Sequence, residues 1–130
     1  RRDSLQSVRN WKPLFGRQHA IFPFSNFFEW VERDGQSVEI KFSPDGHNGM
    51  HAASLFEVYQ HPELGQIRSF SMVTDEPPPE VAAAGHDRCP VFISFKKIEE
   101  WLKPAGQTLQ QLDTLLDHKE RAYYSHSMAA

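Results

Sequence analysis

The sequence predicts an α+β domain: a strongly curved, mostly antiparallel sheet followed by two late helices. Three observations carry this. Through the first two thirds of the chain, apolar residues come in short alternating or continuous runs rich in Phe, Val and Ile, the pattern of strands. Clusters of Gly, Pro, Asp and Asn separate the runs and read as turns. Helical spacing of apolar residues begins only after Ser94. The 130 residues suffice for one domain with a real core. With 39% hydrophobic residues and a net charge of −3, the chain is neither disordered nor strongly basic. No apolar run reaches membrane-span length and no signal peptide is visible. The single cysteine, Cys89, excludes an internal disulfide, fits a reducing compartment and offers no zinc pattern.

Residues 1–10 read as a polar, helix-compatible lead-in. Pro13 disfavours helix in the residue before it, so a helix should stop near Trp11, and Trp11 and Phe15 should anchor the segment to the core. Ala20–Phe24 and Phe27–Glu32 read as strands around a Ser25-Asn26 bend. Asp34-Gly35 is a hairpin turn. The next strand, Ser37–Phe42, alternates, with Val38, Ile40 and Phe42 inward and Glu39 and Lys41 toward water. Pro44-Asp45-Gly46 turns the chain into a strand over Met50–Tyr59, where Ala52, Ala53 and Ser54 permit close packing. After a loop at His61–Gly65, Ile67–Thr74 is a strand with Ile67, Phe70 and Val73 inward. Asp75–Pro79 must be loop. Glu80–Ala84 makes a helical turn closed by Gly85. A short apolar strand covers Val91–Ile93. Ser94 caps a helix with Phe95, Ile98 and Leu102 on one face and Trp101 flanking, stopped by Pro104 and Gly106. Thr108 and Gln111 form a capping box for a second helix striped by Leu109, Leu112 and Leu116. The tail from Lys119 to Ala130 fits no element by pattern.

The stretch Phe22–Trp30 holds five aromatic residues and one acid, Glu29. Such density predicts core. Glu29 then either turns to water, opposite an aromatic face, or carries a raised pKa of the kind that gathers at functional sites; taken alone, the run favours the outward placement. His86-Asp87-Arg88 sits in a loop before a buried strand and offers a proton carrier beside an oxyanion-binding guanidinium, or simply a surface Asp–Arg pair. His47 and His51 lie four apart, but the intervening glycine argues against a helix, and no metal is expected. Cys89 reads as a packed thiol. Within residues 1–19, Arg1, Arg2, Arg9, Lys12 and Arg17 face a lone acid, Asp3. A weakly acidic protein can thus carry a phosphate-binding face, or a solvated basic arm.

Taken together and in order, Trp11-Lys12-Pro13-Leu14-Phe15, then Phe27-Phe28-Glu29-Trp30, then Val73-Thr74, then His86-Asp87-Arg88-Cys89-Pro90 resemble the SRAP family, the SOS-response-associated proteins that process abasic sites in single-stranded DNA. The resemblance runs from Arg1 to about Leu102 and implies a barrel-like β core. It also implies covalent chemistry. An amino-terminal cysteine, exposed by self-removal of preceding residues (hence the peptidase label), attacks a ring-opened abasic sugar and ends as a stable DNA–protein crosslink, with lyase-like activity alongside. By matched position, Glu29 and His86 are the catalytic residues, and Arg1, Arg9, Arg88 and Thr74 are DNA-binding. The implied partner is single-stranded DNA with abasic sites. No cofactor, metal or membrane is implied; a cytoplasmic, nucleoid-associated monomer is expected.

The chain departs from the family pattern in lacking a Met-Cys-Gly start, the asparagine before the matched arginine and the tryptophan pair that wedges DNA. Cys89 replaces the motif's methionine and, having no free α-amine, is not the nucleophile. These departures lead to the expectation that residues 1–130 are the carboxy-terminal portion of a single SRAP-like domain. The alternative function is a non-catalytic single-stranded nucleic-acid-binding module that uses the basic residues and exposed aromatics. A third is an interaction module of phage or host.

Overall fold

A computed structural model describes residues 1–47 and 49–129; Asn48 and Ala130, named above in the two-histidine stretch and in the tail, lie outside the described residues. The strands are β1 (His19–Phe24), β2 (Phe27–Arg33), β3 (Gln36–Pro44), β4 (Met50–His61), β5 (Gly65–Met72), β6 (Thr74–Asp75), β7 (Cys89–Pro90) and β8 (Tyr124–Met128). Helices α1 (Pro79–Ala83), α2 (Ile98–Leu102) and α3 (Leu109–Leu115) are short. This is the expected α+β architecture with antiparallel pairing throughout. The strands divide into sheets β1-β4-β5, β2-β3-β8 and β6-β7, which are not closed into one barrel among the described residues. Among those residues, no helix is long and apolar enough to cross a membrane.

The first 18 residues form successive turns, with amide bonds from Lys12 to Val8 and from Phe15 to Trp11 carrying the coil past Pro13 instead of ending it at Trp11. Leu5, Leu14 and Phe15 pin these turns to a first core that also holds Ala53, Leu55, Val91, Ile93, Trp101 and Leu112. A second core gathers Phe27, Val31, Ile40, Phe42, Val81, Cys89, Phe92 and Tyr124. The segment 89–93 divides the two. Val91 and Ile93 enter the first core, Phe92 between them faces the second, where Cys89 also packs, and the backbone is stitched to Val73, Ala53 and His51.

The β2–β3 hairpin turns on Asp34 and Gly35, both at positive φ (51° and 76°), as a two-residue primed turn demands. Its register pairs Phe27 with Phe42, Glu29 with Ile40 and Val31 with Val38. Strand alternation therefore puts Glu29 on the buried face and turns Phe28 and Trp30 outward, 51% and 62% exposed. Two expectations fall here: the aromatic run is not all core, and Glu29 does not point away from it. The cause is register, because Phe27 rather than Phe28 meets Phe42.

Strands β4 and β5 make a long hairpin that is buried at one end and bare at the other. Met50 to Leu55 are mostly enclosed, whereas Glu57 to Gln60 and most of β5 are exposed, including Phe70. Of the inward residues expected there, only Val73 is buried. The first late helix also differs from expectation. Residues 95–97 form a 3-10 turn, the Ser94 side chain makes no capping bond, Phe95 and Leu102 are exposed, and fully buried Trp101 is the anchor. The capping box of α3 is present, with Gln111 N–H donating to Thr108 Oγ1 (3.1 Å) and Thr108 N–H to Gln111 Oε1 (2.7 Å). Leu115 replaces the exposed Leu109 in its buried stripe. The tail supplies β8, antiparallel to β3.

Candidate functional site

Glu29 and His86 meet. Their side chains come to 3.3 Å, His86 Nε2 to Glu29 Oε2, with the imidazole 14% and the carboxylate 30% exposed. The approach is too oblique for a hydrogen bond, so Nε2 is a buried nitrogen without a hydrogen-bond partner among the described residues. Two elements make the meeting. Glu29 rides the inner face of β2 between Phe27 and Val31, both buried in the second core. On the other side, α1 buries Val81 and Ala84 in that same core and ends at Gly85. Gly85 sits at φ +104°, a conformation that favours glycine, and a Cβ there would lie 3.5 Å from Val31 Cβ. That close approach to the neighbour of Glu29, with His86 N–H donating back to Val81 O (3.3 Å), delivers the imidazole to the carboxylate.

Two arginines pair with Asp87, the residue after His86. Asp87 Oδ1 accepts from Arg88 Nε at 3.1 Å, and Asp87 Oδ2 is 3.8 Å from Arg1 Nη1. Arg1 also pairs with Glu76 and lies 3.9 Å from Asp3. The Arg88 guanidinium holds the Asp87 carboxyl below its ordinary value, helped by His86 and Arg1. Arg1 and Arg88 thus converge on the loop that carries His86. Thr74 is half-buried in β6, opposite Pro90, and no hydrogen bond joins it to His86. Arg9 lies exposed in the turn-rich lead-in, apart from this group and without an ion pair among the described residues.

Arg2 was legible only as one more basic residue. It is a structural clamp: its guanidinium forks onto Asp113 (3.1 and 2.8 Å), reaches Asp117 at 2.5 Å and lies 3.6 Å from Asp75, which Lys119 holds at 2.6 Å. Burial pulls the Asp75 carboxyl up, but Lys119 and Arg2 outweigh it and leave it below its ordinary value. Partners this distant in sequence leave no local signal. Acids from elsewhere therefore neutralise Arg1 and Arg2, and the basic excess of the first residues reduces to Arg9, Lys12 and Arg17.

A cavity of about 330 Å³ lies between the segment 75–79, β7 and the tail, lined by Cys89, Lys119 and Tyr124 among others. Neither Glu29 nor His86 is in its wall. Burial, with Glu80 and Glu29 adding, pushes the Cys89 thiol up to about 12, and burial also raises the Tyr124 phenol. Both stay protonated, so neither is a nucleophile at neutral pH. No group of three or more His, Cys, Asp or Glu side chains suited to a metal gathers among the described residues.

Comparison with known proteins bears on what such a site is for. The profile of the SOS response associated peptidase (SRAP) family matches residues 1–129. The abasic site processing protein YoqW of Bacillus subtilis is 28% identical over 106 residues, covering 81% of this chain and 46% of that protein. A second Bacillus subtilis abasic site processing protein, YobE, is 25% identical over 117 residues, covering 89% of this chain and 53% of its own length. The chain thus spans about half the length of the curated relatives it matches. Among solved structures, a Bacteroides thetaiotaomicron protein superposes with a TM-score of 0.80 at 14% identity, covering 99% of this chain and 56% of that one. A phage-related protein from Bordetella bronchiseptica superposes at 0.72 and 21% identity, covering 98% and 61%. These structural likenesses speak to the fold.

Proposed function

This chain belongs to the SRAP family, and from that premise we propose that it takes part in abasic-site processing, with Glu29 and His86 handling protons and Arg1, Arg88 and Arg9 holding the phosphates of a single strand. The observation that carries this reading is the 3.3 Å meeting of an acid and an imidazole drawn from residues 57 positions apart, in a half-enclosed setting, with two arginines paired to Asp87, the residue that follows His86.

The chemistry implied by the family needs such a pair. The α-amine of an amino-terminal cysteine adds to the C1′ aldehyde of the opened sugar and gives a carbinolamine. Loss of water then requires a proton on the departing hydroxyl and removal of one from nitrogen as the C=N bond forms. The thiol adds across that bond, sulfur to C1′ and its proton to nitrogen, and closes a thiazolidine. Aldehyde plus cysteine has become adduct plus water. On this reading Glu29 and His86 would deliver and receive these protons, and His86 would also protonate the ring oxygen to open the sugar. Cys89 takes no part: it lacks a free α-amine, and its thiol is buried and protonated. Arginine–phosphate contacts would position the strand without reading its sequence.

The protein expressed from its full reading frame is expected to form a gel-stable adduct with abasic single-stranded DNA, and Glu29→Gln together with His86→Ala should abolish most of it. Undiminished adduct from that double variant would refute the assigned roles. A second reading, a binder without chemistry, is favoured by Phe28 and Trp30 standing bare on one face of β2 with Lys41 paired opposite Phe28, a stacking surface beside a cation. Residues encoded ahead of Arg1 discriminate: Met-Cys-Gly supports the crosslinker, an unrelated sequence the binder.

A further inference from the structure

We propose that Asp87 is a stand-in for phosphate: in the free protein its carboxylate occupies the place between Arg1 and Arg88 that a backbone phosphodiester beside the abasic sugar takes when a strand binds. The proposal rests on the nucleic-acid reading above and adds a residue that opposes binding. One carboxylate touches two guanidiniums from distant parts of the chain, at 3.1 Å from Arg88 and 3.8 Å from Arg1. Guanidiniums converging on paired oxygens form a recognition geometry that carboxylate and phosphate share. The slot is one residue from His86, so a phosphate received there lies next to the acid–base pair.

Asp87 is not held for structural reasons. Its side chain is 68% exposed, and its partners among the described residues are Arg88 and Arg1. Arg1, in contrast, has limited freedom. Arg2, the next residue, is fixed to Asp113 and Asp117, so the Arg1 side chain works from an anchored base, within reach of Asp87, Glu76 and Asp3. A phosphate and the ionised Asp87 cannot occupy the slot together, since like charges at contact repel. The exposed aspartate must swing into solvent, and its loss from the slot subtracts from the strand's affinity.

Exposed ion pairs are individually weak, so the penalty is a modest factor, about two- to fivefold in affinity. The test is fluorescence anisotropy of a labelled single-stranded oligonucleotide carrying a tetrahydrofuran abasic analogue, titrated at several salt concentrations. Asp87→Asn should bind about two- to fivefold more tightly than wild type, with the log-affinity against log-salt slope steeper by about one. Adding Arg88→Gln should remove the gain. The remote turn variant Asp34→Asn, which changes net charge equally, should not reproduce it. If wild type binds and Asp87→Asn binds no more tightly, or if the gain survives Arg88→Gln or appears in Asp34→Asn, the stand-in role is overturned while strand binding stands. If neither protein binds the oligonucleotide, the nucleic-acid reading and the proposal fall together.

Discussion

Lowering the pH should unload stability from this protein through one histidine that has nothing to do with the candidate site. His19 is 6% exposed in β1, its ring stacked on Trp101 at 3.9 Å and near Phe15 at 5.6 Å. Both nitrogens are engaged. Gly16 N–H donates to Nε2 at 2.9 Å, so Nε2 accepts and Nδ1 carries the proton it donates to Trp101 O, also at 2.9 Å. A second proton has no place without breaking the Gly16 bond, and burial pulls the imidazole down from 6.5 to about 4. Between those values the unfolded chain binds the proton and the folded one does not. Stability is therefore fully present above pH 6.5, falls as pH drops toward 4, and levels below that. The depression of the pKa is worth roughly 3 kcal/mol across the window, or at most about 1.4 kcal/mol per pH unit, a sizeable share of a typical domain's 5–15 kcal/mol. Urea denaturation followed by tryptophan fluorescence, at pH steps from 4 to 7.5 on wild type and His19→Gln, isolates it because the two proteins differ only at this residue. The variant should be less stable at pH 7.5 and lose less on acidification. Parallel stability–pH curves for the two proteins would refute the reasoning.

Two further outcomes follow from other parts of the molecule. Trp101→Ala should destabilise by about 3–5 kcal/mol in thermal or urea melts, since the indole is fully buried and its N–H donates to Ala20 O at 2.9 Å; a loss under about 1 kcal/mol would mean that the first core does not hang on it. Arg9→Gln should leave stability unchanged and lower the salt slope of single-strand binding by about one, because its exposed guanidinium is free to take a phosphate; an unchanged slope would remove it from the binding face.

Local chemistry made some of this structure readable in advance and left other parts silent. The β2–β3 hairpin was legible because Asp34-Gly35 tolerates the required positive φ and Val38, Ile40 and Phe42 alternate cleanly. The start of α3 was legible because Thr108 and Gln111 satisfy each other's amides within four residues. Glu29 was harder. Aromatics on both sides of it made either face a candidate interior, and only cross-strand register decides between them. Strand β8 escaped notice because Ser125, His126 and Ser127 form an exposed polar edge with no apolar period. Trp101 outranks Phe95 and Leu102 because α2 is a single short turn packed on β1, too brief to present a stripe. The nearness of Glu29 to His86 came from family resemblance, not from any spacing, and the Arg2 clamp, whose partners are 111 and 115 residues away, had no signal at all.

The β4–β5 hairpin, with one end inside the molecule and the other standing in water, gives a single pair of strands two lifetimes. Near Met50–Leu55 a backbone amide can reach solvent only when the cores on both sides come apart, an event as rare as global unfolding. Near Tyr59 and Ile67 the ladder has little to lose beyond its own rungs, so it can fray and re-zip repeatedly while the histidine-bearing loop stays where it is.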